Sequence, residues 1–209
     1  MLIKVCGMKH PENMLALGQL PVDMMGMIFY PPSGRYFHDP ETATFASDPE
    51  NLPGVKRVGV FVNAEIDEVL NRVHDYRLDY VQLHGGERPE YCAELLRIWS
   101  FSSARRAELI KAFSVDEQFD FSAAEAYAEH CSYFIFDTKG KGYGGTGKQF
   151  DWQLLERYRV RTPFLLSGGI TPDSAAAIMN LQHPHLAGVD INSRFETEPG
   201  MKDIAAVGS

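Results

Sequence analysis

The segment Tyr133-Phe134-Ile135-Phe136-Asp137 decides the fold, because it is an unbroken apolar run that ends in a carboxylate. Successive side chains of a strand point to opposite faces, so a strand that is apolar at every position has both faces covered. Such strands are typical of parallel sheets with helices packed on them. A titratable residue directly after the strand lies at the carboxyl edge of the sheet, where barrel enzymes keep their active groups.

Seven further short apolar runs extend along the 209 residues. They are Leu2–Cys6, Met25–Phe29, Arg57–Phe61, Tyr80–Leu83, Leu109–Phe113, Phe164–Leu166 and Ala187–Val189. Helical patterns lie between most of these strands. Asn63 is the predicted N-cap of a helix with Ile66, Val69, Leu70 and Val73 on one face. Thr171-Pro172 predicts another helix start, since a capping hydroxyl precedes a proline at the first helical position.

Eight strands that alternate with helices predict an α/β fold, a closed (βα)₈ TIM barrel formed by one compact domain over residues 1–209. An open doubly wound sheet is the alternative, because periodicity does not distinguish the two. The chain ends at Ser209, soon after the eighth run, so the last helix is predicted to be short.

Composition points to a small-molecule partner in a reducing cytoplasm. The 20 basic and 28 acidic residues give a net charge of −8, which disfavours nucleic acid. Cys6, Cys92 and Cys131 are odd in number and widely separated, and their spacing predicts neither a disulfide framework nor a metal site. No signal-peptide pattern and no apolar stretch of about 20 residues is present, so no membrane association is predicted. Protein partners stay open.

The loop from Thr138 to Gln149 is rich in glycine and lysine. Its segment 142–149 resembles a nucleotide-binding P-loop, but Gln149 has no hydroxyl for magnesium, and the dinucleotide pattern lacks its following acidic strand. Unhindered backbone N–H groups, with Lys139, Lys141 and Lys148, could surround an anion. A surface loop without a ligand is the alternative.

Two more loops predict a phosphate site. Ser167-Gly168-Gly169-Ile170 follows the seventh strand, and Asp190-Ile191-Asn192-Ser193-Arg194 follows the eighth. In barrels these two loops commonly bind phosphate, because backbone N–H groups and a helix dipole favour negative charge there. The predicted ligand is therefore a phosphorylated small molecule.

Polar side chains also converge at the ends of other strands. Cys6 ends the first strand and Asp137 the sixth. Gln82 and His84 are two residues apart on the fourth strand and so share one face, while Asp190 ends the eighth. A buried, inert cysteine and a turn-forming aspartate are the structural alternatives for the first two.

In their order and spacing, these blocks closely resemble the phosphoribosylanthranilate isomerase family from residue 3 to about residue 203. The matching blocks are Lys4–Met8, Gly26–Tyr36, Val60–Asn63, Val81–Gly85, Phe136–Thr138, Gly144–Gly147, Phe150–Trp152, Leu166–Ile170 and Gly188–Asp190.

The resemblance implies an Amadori rearrangement of N-(5-phosphoribosyl)anthranilate to 1-(2-carboxyphenylamino)-1-deoxyribulose 5-phosphate in tryptophan biosynthesis. By its motif Asp137 is the general acid that protonates the ring oxygen, and burial is expected to raise its pKa. Cys6 is the general base, and some stabilisation of its thiolate is expected, from the cationic intermediate, a nearby lysine or loop N–H groups. The iminium serves as electron sink, so neither a metal nor an organic cofactor is required.

The same resemblance assigns the substrate contacts. Arg35 would bind the anthranilate carboxylate or ring, and His84 and Asp190 would face the substrate. The phosphate would lie among Gly145, Gly168, Gly169, Ser193 and Arg194.

The chain departs from the family at Lys9, where threonine is familiar, and at Arg194, where glycine is common. Either the Arg194 side chain binds the anion or the loop shifts. Two other functions are the alternatives. Another sugar-phosphate barrel isomerase would use an aspartate pair, against which Cys6 argues, and a non-catalytic phosphate-binding barrel would bind without turnover.

Overall fold

The structure, a computed structural model, describes residues 1–48, 50–101, 105–138 and 150–209. Eight parallel strands form a closed barrel in chain order, and the eighth strand pairs with the first. The strands are β1 (Leu2–Cys6), β2 (Met24–Ile28), β3 (Lys56–Phe61), β4 (Tyr80–Leu83), β5 (Glu108–Val115), β6 (Tyr133–Thr138), β7 (Phe164–Leu166) and β8 (Leu186–Ile191). This closure confirms the predicted barrel and excludes the open sheet.

Within the described part of the chain, the outer layer contains six α-helices around the eight barrel strands. The α-helices are α1 (Pro11–Leu17), α2 (Pro40–Ser47), α3 (Ile66–Asp75), α4 (Pro89–Phe101), α5 (Ala175–Met179) and α6 (Ile204–Gly208). Shorter 3₁₀ helices span Phe121–Tyr127, Trp152–Arg157, Pro172–Ser174 and Ser193–Phe195. An antiparallel pair, β9 (Glu196–Glu198) and β10 (Met201–Lys202), precedes α6, which has five residues and is short as predicted. Within the described ranges no helix has the length and apolar character to cross a bilayer.

Two predicted helix starts had different outcomes. Thr171-Pro172 does open a helix, with a capping box between Thr171 and Ser174. The predicted N-cap at Asn63 is wrong, because α3 begins at Ile66 and Glu65 occupies the cap position. Asn63 has a positive φ of 51° and instead connects the loop after β3 to the loop after β4. Its N–H donates to Glu87 Oε1 at 2.7 Å, and its side-chain oxygen accepts from the N–H of Gly86 at 2.7 Å.

A buried ion pair supports the loop that follows β4. Lys111 Nζ lies 3.0 Å from Glu87 Oε2, and both side chains are almost fully buried. The same ammonium donates to the carbonyl groups of Leu83 and Gly85 at 3.2 and 2.8 Å. Because each charge has hydrogen-bond partners, the pair offsets its desolvation and holds the backbone around His84.

The inward-facing residues of the barrel form two levels. Met24, Val58 and Ile135 belong to an apolar cluster that fills the interior. Two residues after each of them, on the same face of its strand, Gly26, Val60 and Asp137 lie nearer the carboxyl ends. The interior is therefore filled below, and a pocket is left at the upper rim.

Candidate active site

One pocket opens at the carboxyl ends of the strands, and residues from β1–β4, β6 and β8 and from the loop after β7 line it. It contains nearly every side chain that the sequence analysis singled out, namely Cys6, Arg35, His84, Asp137, Gly168, Gly169, Asp190, Ser193 and Arg194. Gly145, Lys139, Lys141 and Lys148 lie outside the described residues. Among the described residues, no cluster of three or more His, Cys, Asp or Glu side chains suited to a metal ion is found.

Cys6 lies at the end of β1 with only 5% of its surface exposed. Its sulfur occupies space that Gly26 of the neighbouring strand leaves open, since a Cβ on Gly26 would come within 2.8 Å of Sγ. The absence of a side chain at position 26 therefore permits the thiol to point into the barrel mouth.

Lys4 lies two residues before Cys6 on the same inward face of β1. Its Nζ forms an ion pair with Asp190 Oδ1 at 2.7 Å, and the two side chains are 0% and 6% exposed. Burial, the largest single influence, would lower the Lys4 pKa, but the charge of Asp190, the neighbouring Cys6 and hydrogen bonds to both together outweigh it, and the pKa is raised. The lysine therefore stays charged beneath the thiol.

The environment of Cys6 acts on its pKa in two directions. Burial, the largest influence, raises the pKa of its thiol, and Asp190 adds to this rise. Lys4 and Lys202 act in the opposite direction, as expected of a nearby lysine, but do not overcome burial. The pocket as it stands therefore favours the thiol over the thiolate.

Alkylation of Cys6 by iodoacetamide is expected to be slow at pH 7 and to accelerate beyond pH 9, because only the thiolate reacts and its pKa lies above the ordinary 9.0. Peptide mass spectrometry would follow Cys6 separately from the buried Cys92 and Cys131. Cys6→Ser is the control for modification elsewhere. A rate that levels off below pH 8 would contradict the raised pKa.

Asp137 and His84 lie together across the pocket mouth, each 14% exposed. Asp137 Oδ1 accepts from the N–H of Thr138 at 2.8 Å, and Oδ2 lies 3.6 Å from His84 Nε2. On its other side, His84 Nδ1 is 2.8 Å from Gln82 Nε2. Gln82 and His84 therefore share one face, as expected, and the His84 ring lies between the Gln82 amide and the Asp137 carboxyl group.

Arg35 lines the pocket but its guanidinium is already paired. Nε donates to both carboxylate oxygens of Glu196 at 2.9 and 3.0 Å, and Nη2 lies 2.5 Å from Oε2. Glu196 also accepts from Lys202 Nζ, which donates to Asn192 Oδ1 as well. Burial would raise the Glu196 pKa, but Arg35 and Lys202 together hold it below its usual value.

The predicted phosphate end is formed by two tight turns. Gly168 and Gly169 both have positive φ, 85° and 67°. A Cβ on Gly168 would lie 2.5 Å from the backbone nitrogen of Thr138, so no other residue fits there without displacing β6. Ser193 begins the 3₁₀ helix after β8, and the exposed Arg194 follows it at the rim.

Three polar residues that contact this site were missed by sequence reasoning: Lys4, Glu196 and Lys202. Lys4 did leave a signal, since it is a polar residue inside an otherwise apolar strand, whereas Gln82 was recognised only as sharing a face with His84 and was given no role. Glu196 and Lys202 left none, because their region reads as an ordinary charged terminus.

Comparison with known proteins agrees with this geometry. Residues 3–209 match the family model of N-(5'-phosphoribosyl)anthranilate (PRA) isomerase. The N-(5'-phosphoribosyl)anthranilate isomerase of Parabacteroides distasonis is 48% identical over 204 residues, which are 98% of this chain and 89% of that protein.

Solved structures give the same result. The crystal structure of phosphoribosyl anthranilate isomerase from Thermotoga maritima has 35% identity and a TM-score of 0.82, covering 100% of this chain and 95% of that one. Another phosphoribosyl anthranilate isomerase, in complex with reduced 1-(o-carboxyphenylamino)-1-deoxyribulose 5-phosphate, has 32% identity, a TM-score of 0.79 and the same coverage. The chain therefore belongs to the N-(5'-phosphoribosyl)anthranilate isomerase family.

Proposed function

We propose that this isomerase of tryptophan biosynthesis converts N-(5-phosphoribosyl)anthranilate to 1-(2-carboxyphenylamino)-1-deoxyribulose 5-phosphate, with Cys6 as general base and Asp137 as general acid. The observation that carries these roles is that both residues line one pocket, on β1 and β6. The family supports the reaction. The related structure with a reduced product analogue supports the class of ligand.

The first step opens the furanose ring. Asp137 gives its proton to the ring oxygen, the bond between that oxygen and C1 breaks, and the anilino nitrogen donates its lone pair to form an iminium. The proton must be present beforehand, and His84 Nε2, 3.6 Å from Oδ2, is placed to steady the carboxyl group.

The second step removes the proton from C2. The Cys6 thiol first loses its own proton to water, and the thiolate then accepts the C2 proton. The electron pair of the C–H bond neutralises the iminium to give an enolamine, which tautomerises to the ketone. The iminium is positive when this happens, so it favours the thiolate against the burial that raises its pKa. Lys4 and Lys202 add positive charge nearby, since both lower the Cys6 pKa.

The two acidic ends of the substrate define its orientation. Its carboxylate would lie at Arg35, and its phosphate among Gly168, Gly169, Ser193 and Arg194, with Gly145 added by resemblance to the family. Asp190 faces the same pocket, but its Oδ1 is committed to Lys4. The sugar then lies between these ends, beside Cys6 and Asp137.

Arg35→Met is expected to raise KM by about 10- to 100-fold, because one charge-assisted contact is worth about 1.5–3 kcal/mol. A smaller effect on kcat is expected, since the carboxylate does not react. Steady-state kinetics with Arg97→Met as control test this, because Arg97 forms an exposed ion pair with Glu94 on α4. An unchanged KM would place the carboxylate elsewhere.

Conversion of freshly generated phosphoribosylanthranilate, followed by loss of anthranilate-type fluorescence, tests the function itself. Turnover by the folded protein is expected. Binding without turnover would instead indicate a silent phosphate-binding barrel, and turnover of a different aminosugar phosphate would indicate the other isomerase class. A cytoplasmic location is proposed with this mechanism, because the base must remain a reduced thiol.

A further inference from the structure

Gln82 is a buried polar side chain, and among the described residues only one of the two polar atoms of its amide has a hydrogen-bond partner. It is 0% exposed, it lines the pocket, and its Nε2 lies 2.8 Å from His84 Nδ1. Its Oε1 has no hydrogen-bond partner among the described residues. A buried acceptor without a partner is destabilising, so its presence in a pocket indicates a donor that arrives with the ligand.

The strands beside Gln82 offer no donor in its place. Its register partners are Val60 on β3 and Ile110 on β5, and both side chains are apolar. Val60 and Ile28 line the same pocket, so the amide lies in an otherwise apolar part of the wall. Leucine or methionine would pack against this apolar wall better than glutamine, so packing does not account for the glutamine.

We propose that Gln82 Oε1 accepts a hydrogen bond from a ribose hydroxyl of the substrate while its Nε2 holds His84 against the acid. The inference rests on the proposed function and adds a residue to it. At neutral pH the phosphate at one end and the carboxylate at the other are essentially acceptors. The donors of the substrate lie between these ends: they are the sugar hydroxyls and the anilino N–H, and only the hydroxyls are lost when an alkyl chain replaces the sugar.

The other half of the amide determines the state of His84. Because Nε2 of Gln82 is a donor, His84 Nδ1 accepts and the ring carries its proton on Nε2. That nitrogen is the one that faces Asp137 Oδ2 at 3.6 Å. Gln82 thus links the position of the sugar, through Oε1, to the orientation of the Asp137 acid, through Nε2 and His84.

The test compares two ligands in wild-type protein and Gln82→Met by titration calorimetry. One ligand is reduced 1-(2-carboxyphenylamino)-1-deoxyribulose 5-phosphate, which has the sugar hydroxyls. The other is N-(5-phosphonooxypentyl)anthranilate, in which an alkyl chain replaces them. Gln82→Met should weaken the first by about 10- to 100-fold and the second by less than about threefold, because only the first donates to Oε1. Gln118→Met, at an exposed position, is the matched control.

Equal losses for the two ligands, or none for either, would overturn the proposal. Gln82→Leu repeats the comparison if the methionine variant does not fold. In wild-type protein, nitrogen-15 NMR of histidine should report the Nε2–H tautomer at His84, and Gln82→Met should lose that preference. Wild-type protein without turnover of phosphoribosylanthranilate would reject the proposed function, whereas normal turnover with unaltered Gln82→Met binding would reject the role of Gln82 alone.

Discussion

Cys6→Ser and Asp137→Asn are each expected to lower kcat by about 10²- to 10⁴-fold, the usual contribution of a general base or acid. Serine holds its proton far more tightly than cysteine, and asparagine has no proton to give the ring oxygen. Both replacements nearly preserve size, so the pocket should retain its shape. Asparagine can still accept from the N–H of Thr138, as Asp137 Oδ1 does at 2.8 Å.

Fluorescence kinetics and calorimetry with the reduced product analogue would measure turnover and binding separately. Affinity for the analogue should stay within a few-fold in both variants. Cys131→Ser and Asp67→Asn repeat the same chemical changes, one at a buried residue outside the lining of the pocket and one on the exposed face of α3. Either catalytic variant retaining wild-type kcat would remove that residue from the mechanism.

Lys4→Met is expected to lower the free energy of unfolding by about 3–5 kcal/mol, because it leaves the Asp190 carboxylate buried without its counterion. The pair is 0% and 6% exposed, so solvent does little to screen the loss. Urea denaturation would measure it. Lys56→Met is the matched control, since Lys56 is 56% exposed and its ion pair with Asp79 should contribute under about 1 kcal/mol.

The double variant Lys4→Met/Asp190→Leu separates stability from catalysis. Replacing both partners of a buried pair by apolar residues is often close to neutral, so most of the lost stability should return. Turnover should not return, because Cys6 then lacks the positive charge of Lys4. Full activity in the double variant would show that the pair serves the fold alone.

Much of the fold was predictable because each barrel strand is buried on both faces. The eight apolar runs coincide with β1–β8 to within two residues at every end, since burial on both faces keeps most strand positions apolar. The helix starts were less predictable. Asn63 resembles an N-cap in sequence, but hydrogen bonds with Gly86 and Glu87 hold it in the loop instead. The single-domain boundary of residues 1–209 stays a prediction.

The position of Cys6 and Asp137 in the pocket was predictable, because each lies at the carboxyl end of a strand, where the pocket opens, while their catalytic roles stay a proposal. The site was not predictable where the meaning of a residue depends on a distant partner. Lys4 and Asp190 are 186 positions apart, and Arg35 and Glu196 are 161 apart. Only closure of the barrel brings such pairs together, so a linear pattern identifies at most one member of each.

The strand pair β9–β10 carries contacts that the closed barrel does not supply. Closure of the barrel requires only β8, yet the counterion of Arg35 and the buried Lys202 lie in the segment that follows it. The backbone of Lys202 also exchanges two hydrogen bonds with the side-chain amide of Asn13, in α1. A barrel whose eight strands are all paired therefore still depends on residues 196–202 to orient its pocket arginine.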